Sequence, residues 1–193
     1  FYINLDTRPD RKIEVEKQLA KLNWSFNRFE ACKPPDPNNP HGGRIGCTLS
    51  HLNLLKYAKQ TNLPYVVVIE DDILFKDPSK FNSSLQKFFN SKIDYDVILI
   101  AGNVIPPYQK IKDFAIKVSF CQTTTGYIVK NHYYDKLIHN IQTGLQFLMT
   151  YPEQHVNFAI DKWWTKLQKV DNWYFIMPPS VVQAPSYSDI EGQ

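Results

Sequence analysis

The sequence predicts an α/β domain: a mostly parallel, Rossmann-like sheet with helices on both faces and a small antiparallel addition. Three observations predict it. Val66, Val67, Val68 and Ile69 form an unbroken, β-branched apolar run, the pattern of a strand covered on both faces. The first 75 residues alternate strand, helix, strand, helix, strand, an order that right-handed crossovers turn into a parallel sheet. Phe114, Ile116, Val118 and Phe120 instead recur at every second position, which suits a half-buried antiparallel strand.

The elements follow in order. Residues 1–5 read as a first strand. A helix runs from there to about Leu22, with Asp6 or Thr7 as its cap, Pro9 in its first turn, and Val15, Leu19 and Leu22 as its buried stripe. Residues 26–30 supply a second short strand. Residues 33–43 hold four prolines and two glycines and form a loop long enough to cover a site. Ile45, Leu49, Leu52 and Leu55 line a helix over 45–58. After the apolar strand, Asp77 and Pro78 start a helix with Phe81, Leu85 and Phe88 on one face. Residues 97–101 are another buried strand, ending at Gly102. Residues 104–113 read as a second irregular loop, and both loops are expected to close over a ligand. Residues 122–126 lead into a strand at 127–130. Asn131 caps a helix carrying Tyr134, Ile138 and Ile141, which Gly144 ends. Asp161 opens a helix over 161–170, and residues 174–177 form a late strand.

The 193 residues suffice for one packed domain. A net charge of +3 does not argue for a nucleic-acid partner, and no apolar run is long enough to cross a bilayer. A start inside a strand, without Met, reads as a piece trimmed from a longer protein. Cys32, Cys47 and Cys121 have neither zinc spacing nor a disulfide pattern. They favour a reducing, cytoplasmic setting; an endoplasmic reticulum lumen stays open if a leader was removed.

Candidate chemistry gathers where the apolar strand stops, at Glu70, Asp71 and Asp72. Carboxylates at the end of a buried strand need positive charge beside them. Their oxygens suit Mg²⁺ or Mn²⁺, and open α/β sheets bind ligands at such strand ends. Glu70 and Asp72 are therefore expected to hold a divalent metal, with Asp71 as partner or alternative ligand; a solvated acidic turn is the alternative. Arg8 and Arg11 stand at a helix start, where an anion is favoured, unless they pair with Asp6 and Asp10. His51 either meets a ligand or is a satisfied structural residue. Thr123, Thr124 and Thr125 either hold sugar hydroxyls or serve a strand. Asp161 is a general base or an N-cap, and Trp163 and Trp164 offer a sugar platform or join the core.

Four stretches, Ile3-Asn-Leu-Asp-Thr-Arg-Pro-Asp-Arg11, Ile45-Gly-Cys-Thr-Leu-Ser-His51, Val68-Ile-Glu-Asp-Asp72 and Ser186-Tyr-Ser-Asp-Ile190, together resemble glycosyltransferase family 25 over essentially the whole chain. The resemblance implies a GT-A-like fold, a UDP-sugar donor (UDP-galactose foremost), Mn²⁺ or Mg²⁺, and inverting transfer to a glycan or a hydroxylysine. It puts Glu70, Asp71 and Asp72 on a DxD-like motif, Asn4, Leu5, Thr7, Arg8 and Arg11 near the nucleotide, and Ser50 and His51 on a Ser-His pair. Asp161 aligns with a late Asp. In GT-A-type enzymes a late segment returns to the metal or diphosphate, which nominates Asp189 as ligand with Gln183 and Ser188 as neighbours. Arg44 replaces an acidic residue common in the family and can meet phosphate. The rival readings are a nucleotidyltransferase and a non-catalytic glycan- or partner-binding member.

Overall fold

The computed structural model describes residues 1–34, 36 and 38–185; the motif at 186–190, with Ser188 and Asp189, lies outside them. The chain runs β1 (Tyr2–Asn4), α1 (Pro9–Ala20), β2 (Arg28–Glu30), α2 (Gly42–Gln60), β3 (Tyr65–Glu70), β4 (Ile73–Phe75), α3 (Pro78–Asn90), β5 (Val97–Leu99), β6 (Asn103–Val104), β7 (Tyr108–Lys112), β8 (Ala115–Val118), β9 (Cys121–Gln122) and β10 (Gly126–Lys130). It continues through α4 (Tyr134–Thr150), α5 (His155–Phe158), α6 (Ile160–Trp163), α7 (Thr165–Gln168), β11 (Trp173–Ile176) and β12 (Val181–Gln183).

One sheet carries the order β2-β1-β3-β10-β5-β11-β8-β7. β1 is parallel to β2 and β3, and β5 to β11, while β10 and β8 run against both of their neighbours. Six of the eight strands thus point the same way, all but β10 and β8, which makes the sheet mostly parallel in strand direction, with helices on both faces. Val68, Val97, Leu99, Tyr127, Val129 and Phe175 pack toward α2 and α4; Ile69, Ile98, Ile128 and Tyr174 pack toward α1 and α3. Two covered faces explain why β3 reads as a continuous apolar run. Two small antiparallel pairs, β12–β4 and β6–β9, stand beside the main sheet.

The antiparallel course of β10 matters for the site. Gly126 pairs with Ile69, so the residues just before β10 meet the carboxyl end of β3, and the Glu70 amide donates to the Thr125 carbonyl at 2.9 Å.

Several expectations are corrected. The α1 N-cap is Arg8, with no side-chain cap; Asp6 pairs with Arg28 instead. The helix ends at Ala20 because the chain turns at Asn23, whose φ is 55°. Residues 108–112 are strand β7 and not a lid. They lie five strands from β3, roughly 24 Å at the usual strand spacing, too far to close over its end. Asn131 starts a short 3₁₀ turn, and α4 begins at Tyr134 without a side-chain cap. The segment 161–170 is two short helices, and Ala159 rather than Asp161 caps the first. Asp77 does cap α3, accepting from the Lys80 amide at 2.9 Å.

Gly144 lies inside α4 and does not end it. A Cβ there would stand 2.6 Å from Trp163 Cδ1 and 2.9 Å from Cγ. Alanine ordinarily stabilises a helix interior over glycine, but here the clash decides the sign. Gly144→Ala is expected to lower stability by about 1–3 kcal/mol, read as an earlier midpoint in urea unfolding.

Candidate functional site

The carboxyl ends of β1 and β3, the first turn of α1, the early turns of α2, the approach to β10, helix α6 and the end of β12 converge on two adjoining cavities. The smaller, about 320 Å³, is lined by Asn4, Leu5, Thr7, Arg8, Arg11, Ser50, His51, Asp71 and Asp72 among others. The larger, about 760 Å³, is lined by Arg44, Asn103, Thr123, Thr124, Asp161 and Lys162 among others. Cys47, Glu70 and Gln183 border both. A separate cavity of about 480 Å³, among Trp24, Phe26, Tyr65 and Phe89, has no carboxylate, histidine or cationic side chain in its lining, so the chemistry lies at the other two.

The three carboxylates have different surroundings. Glu70 Oε1 accepts from Thr124 Oγ1 at 2.7 Å and lies 3.2 Å from His51 Nε2 and 3.8 Å from Cys47 Sγ. Burial opposes its charge, but the bonds from His51, Thr124 and Cys47 outweigh that and hold its carboxyl below the ordinary value. Asp71 accepts from Asn4 Nδ2 at 2.7 Å and from Arg11 Nη1 at 3.1 Å. Burial still raises it above the usual range. Asp71 is the partner residue of the sequence reading, with both oxygens held by protein groups. Asp72 Oδ2 accepts from Gln183 Nε2 at 2.8 Å and lies 3.9 Å from Arg11. Asp72 Oδ1 is buried and has no hydrogen-bond partner among the described residues. Burial first, then the neighbouring charge of Glu70, push the Asp72 carboxyl up to about 7.

That orphaned oxygen is the test for a metal. A buried carboxylate lacking a partner is costly, and a hard dication accepting oxygen ligands relieves it. The residues at this end of β3 therefore fit Mn²⁺ or Mg²⁺, with Asp72 as the oxygen most in need and Glu70 beside it.

The remaining candidates divide. Asn4 is buried and fully engaged: it donates to Asp71 and to the Arg8 carbonyl and accepts from Arg28 Nε at 3.1 Å. It positions Asp71. Arg8 binds Asp10 through Nε and Nη2 at 3.0 and 2.8 Å, while Arg11 turns inward to the carboxylates. Ser50 Oγ donates to the Gly46 carbonyl at 2.7 Å and accepts from the Cys32 amide at 2.8 Å, so its hydroxyl holds the chain next to the cavity. Arg44 lines the larger cavity, not the one that Arg8 and Arg11 line. Asp161 Oδ2 accepts from the Thr123 amide at 3.1 Å, and burial raises its carboxyl. Trp164 is no sugar platform: it is fully buried and packs edge-on against Tyr127 and Trp173. Trp163 packs on Phe147 and Phe158, and neither tryptophan lines the two cavities.

Sequence reasoning missed Cys47, Tyr127 and Arg28. A signal existed for the first: Cys47 and His51 are four apart, hence on one face of α2. Tyr127 had none, because the pairing of β10 with β3 sets its place.

Sheet and site define an α/β ligand-binding domain with its site at the carboxyl ends of β1 and β3. Residues 38–152 match the family model of glycosyltransferase family 25 (LPS biosynthesis protein); the chain belongs to that family. It is 26% identical over 171 residues to procollagen galactosyltransferase 2 of Homo sapiens, covering 72% of this chain and 27% of that one. It is 25% identical over 132 residues to the lipooligosaccharide biosynthesis protein lic2B of Haemophilus influenzae, covering 61% and 50%. It is 25% identical over 137 residues to the inactive glycosyltransferase 25 family member 3 of Mus musculus, covering 58% and 23%. The chain thus spans half or less of the length of these relatives. Mannose-1-phosphate geranyltransferase from Thermus thermophilus superposes with a TM-score of 0.45 at 8% identity, over 88% of this chain and 64% of that one; at that score the likeness says nothing of function.

The Asp72 carboxyl makes stability depend on pH. Its folded value, about 7, lies above the ordinary 3.8. Its stabilising contribution is therefore complete below about pH 4 and is lost as pH rises through 7, a change of up to about 4 kcal/mol. In metal-free protein, Asp72→Asn is expected to raise Tm at pH 8 and to leave it nearly unchanged at pH 4, read by calorimetry as the difference from wild type. A difference independent of pH would contradict this origin.

Proposed function

We propose that the chain is a metal-dependent, inverting glycosyltransferase that moves a hexose, galactose foremost, from a UDP-sugar to an acceptor hydroxyl on a glycan or a hydroxylysine. The observation that carries the reading is the placement of Asp72, whose Oδ1 has no hydrogen-bond partner among the described residues, in the wall shared with Arg8 and Arg11, with Asp161 in the adjoining cavity. The family, and its members named as galactosyltransferases, support the sugar and the transfer.

The smaller cavity suits the nucleotide diphosphate. The start of α1 borders it through Arg8 and Arg11, and anions are favoured at a helix start. Arg11 supplies fixed positive charge, its Nη1 standing 3.1 Å from Asp71 Oδ1. Carboxylates nevertheless outnumber the arginines: Glu70, Asp71 and Asp72 face Arg8 and Arg11, and Arg8 is already matched by Asp10. A diphosphate entering alone would meet net negative charge, which supports a dication as the companion of the donor. Held by Asp72 and Glu70, Mn²⁺ or Mg²⁺ would supply Lewis-acid neutralisation of the diphosphate.

The larger cavity suits the acceptor. Asp161 takes the proton of the acceptor hydroxyl as that oxygen attacks the anomeric carbon and the bond from that carbon to the diphosphate oxygen breaks, releasing UDP. The Thr123 amide fixes one of its oxygens and leaves the other for this work. Burial raises the Asp161 carboxyl toward the operating pH, as a general base requires. Pro34, in the loop before α2, and Gly43, in the first turn of α2, border the smaller cavity, so this segment serves to keep water from the donor.

The family also contains a member named as inactive, so the reading is tested on the site itself. UDP-hexoses are screened for Mn²⁺-dependent hydrolysis and transfer. Asp161→Asn is expected to keep donor affinity in calorimetry and to lose ~10²–10⁴-fold in turnover; unchanged turnover would move the base elsewhere. Asp72→Ala is expected to abolish Mn²⁺-dependent UDP binding, and wild-type binding in that variant would remove the metal assignment.

A further inference from the structure

The proposed transfer leaves Cys47 and His51, both beside Glu70, without a part in it. Cys47 Sγ and His51 Nε2 project from the same face of α2 toward Glu70 Oε1, and the three atoms lie within 4.8 Å of one another. The Glu70 oxygen is 3.2 Å from Nε2 and 3.8 Å from Sγ. Tetrahedral zinc with ordinary bond lengths separates S, N and O ligands by about 3.3–3.6 Å. The two distances from Glu70, 3.2 and 3.8 Å, bracket that range, and the Cys47 and His51 atoms lie within 4.8 Å of each other.

The surroundings support the same chemistry. Tyr127 hydroxyl lies 2.8 Å from His51 Nδ1, and the two rings stack at 24°. In the ion-free site His51 Nε2 bonds the Glu70 oxygen; with Nδ1–H donating to the Tyr127 hydroxyl instead, the Nε2 lone pair is available to an ion. A partner on the far ring nitrogen is also what fixes a metal-binding histidine. Thr124 Oγ1, at 2.7 Å, steadies the carboxylate. Burial pushes the Cys47 thiol well above its ordinary value, so the free thiol is protonated and unreactive. On binding a dication it releases one proton to solvent. Thiolate, carboxylate and dication then sum to zero, a neutral group in a buried place. Cys47 and Glu70 border both cavities, which gives an ion its route in.

We propose that Cys47, His51 and Glu70 form a second metal site, for a borderline-soft divalent ion such as Zn²⁺, separate in ligand chemistry from the oxygen-rich position at Asp72. A thiolate and an imidazole select against Mg²⁺ and Mn²⁺ and for zinc. Glu70 belongs to both positions, so zinc withdraws a ligand from the hard dication and slows transfer. That consequence rests on the function proposed above; the binding itself does not.

The test uses Co²⁺ as a spectroscopic stand-in for zinc, added to the reduced, metal-free chain. The expected result is one equivalent of bound cobalt with a near-ultraviolet thiolate-to-metal band, bleached by added Zn²⁺. Cys47→Ser loses the band, with Cys47→Ala as a second variant should the first not fold. Tyr127→Phe weakens binding about 10–100-fold. Cys32→Ser and Asp72→Ala keep the band. No thiolate band in the wild type, or a band that survives at Cys47→Ser and Cys47→Ala, overturns the proposal, as does its loss at Cys32→Ser or Asp72→Ala. Failure of Mn²⁺-dependent UDP binding with the cobalt band intact would instead count against the transferase reading alone.

Discussion

Charge compensation at the carboxyl end of β3 is the constraint from which the rest of this structure follows. Three successive carboxylates leave a strand whose residues are buried on both faces, and an uncompensated buried charge is among the most destabilising features a fold can hold. The protein answers each one from a different direction. α2 and the approach to β10 supply His51, Cys47 and Thr124 to Glu70. β1 and α1 supply Asn4 and Arg11 to Asp71. β12 supplies Gln183 to Asp72. The compensation is complete for the first two and deficient for the third. Among the described residues that inequality gives the site its direction: the uncompensated Asp72 oxygen lies beside the cavity that Arg8 and Arg11 line.

Family membership does not by itself decide activity, since relatives of this chain are named both as galactosyltransferases and as an inactive member. In this chain the Asp161 carboxyl borders the larger cavity, and among the described residues Asp72 Oδ1 has no hydrogen-bond partner; both features lower the stability of the empty protein.

Much of the fold could be read from the sequence wherever one residue pattern had one explanation. The β3 run is apolar throughout because α2 and α1 cover its two faces, and Asp77-Pro78 marks a helix start because both residues act locally. Legibility failed where the cause was distant. β7 presents Tyr108, Gln109 and Lys110 to solvent at the sheet edge, so its composition resembles a loop. Gly144 looked like a helix end, yet its reason is the Trp163 ring in another helix. The acidic triplet was legible as a group. The separate duties of its members were not, because these depend on residues 4, 11, 51, 124 and 183, which sequence order keeps far apart.

The reversed course of β10 has a consequence for how this protein is made. The centre of the sheet stays open on one side of β3 until residue 126 and its successors arrive, more than fifty positions later in the chain. Pairings of such long range form slowly, and an unpaired apolar edge invites the wrong neighbour meanwhile. A nascent chain therefore leaves one edge of an apolar strand unpaired until β10 is made, and the acidic residues that follow that strand suit the part of gatekeepers.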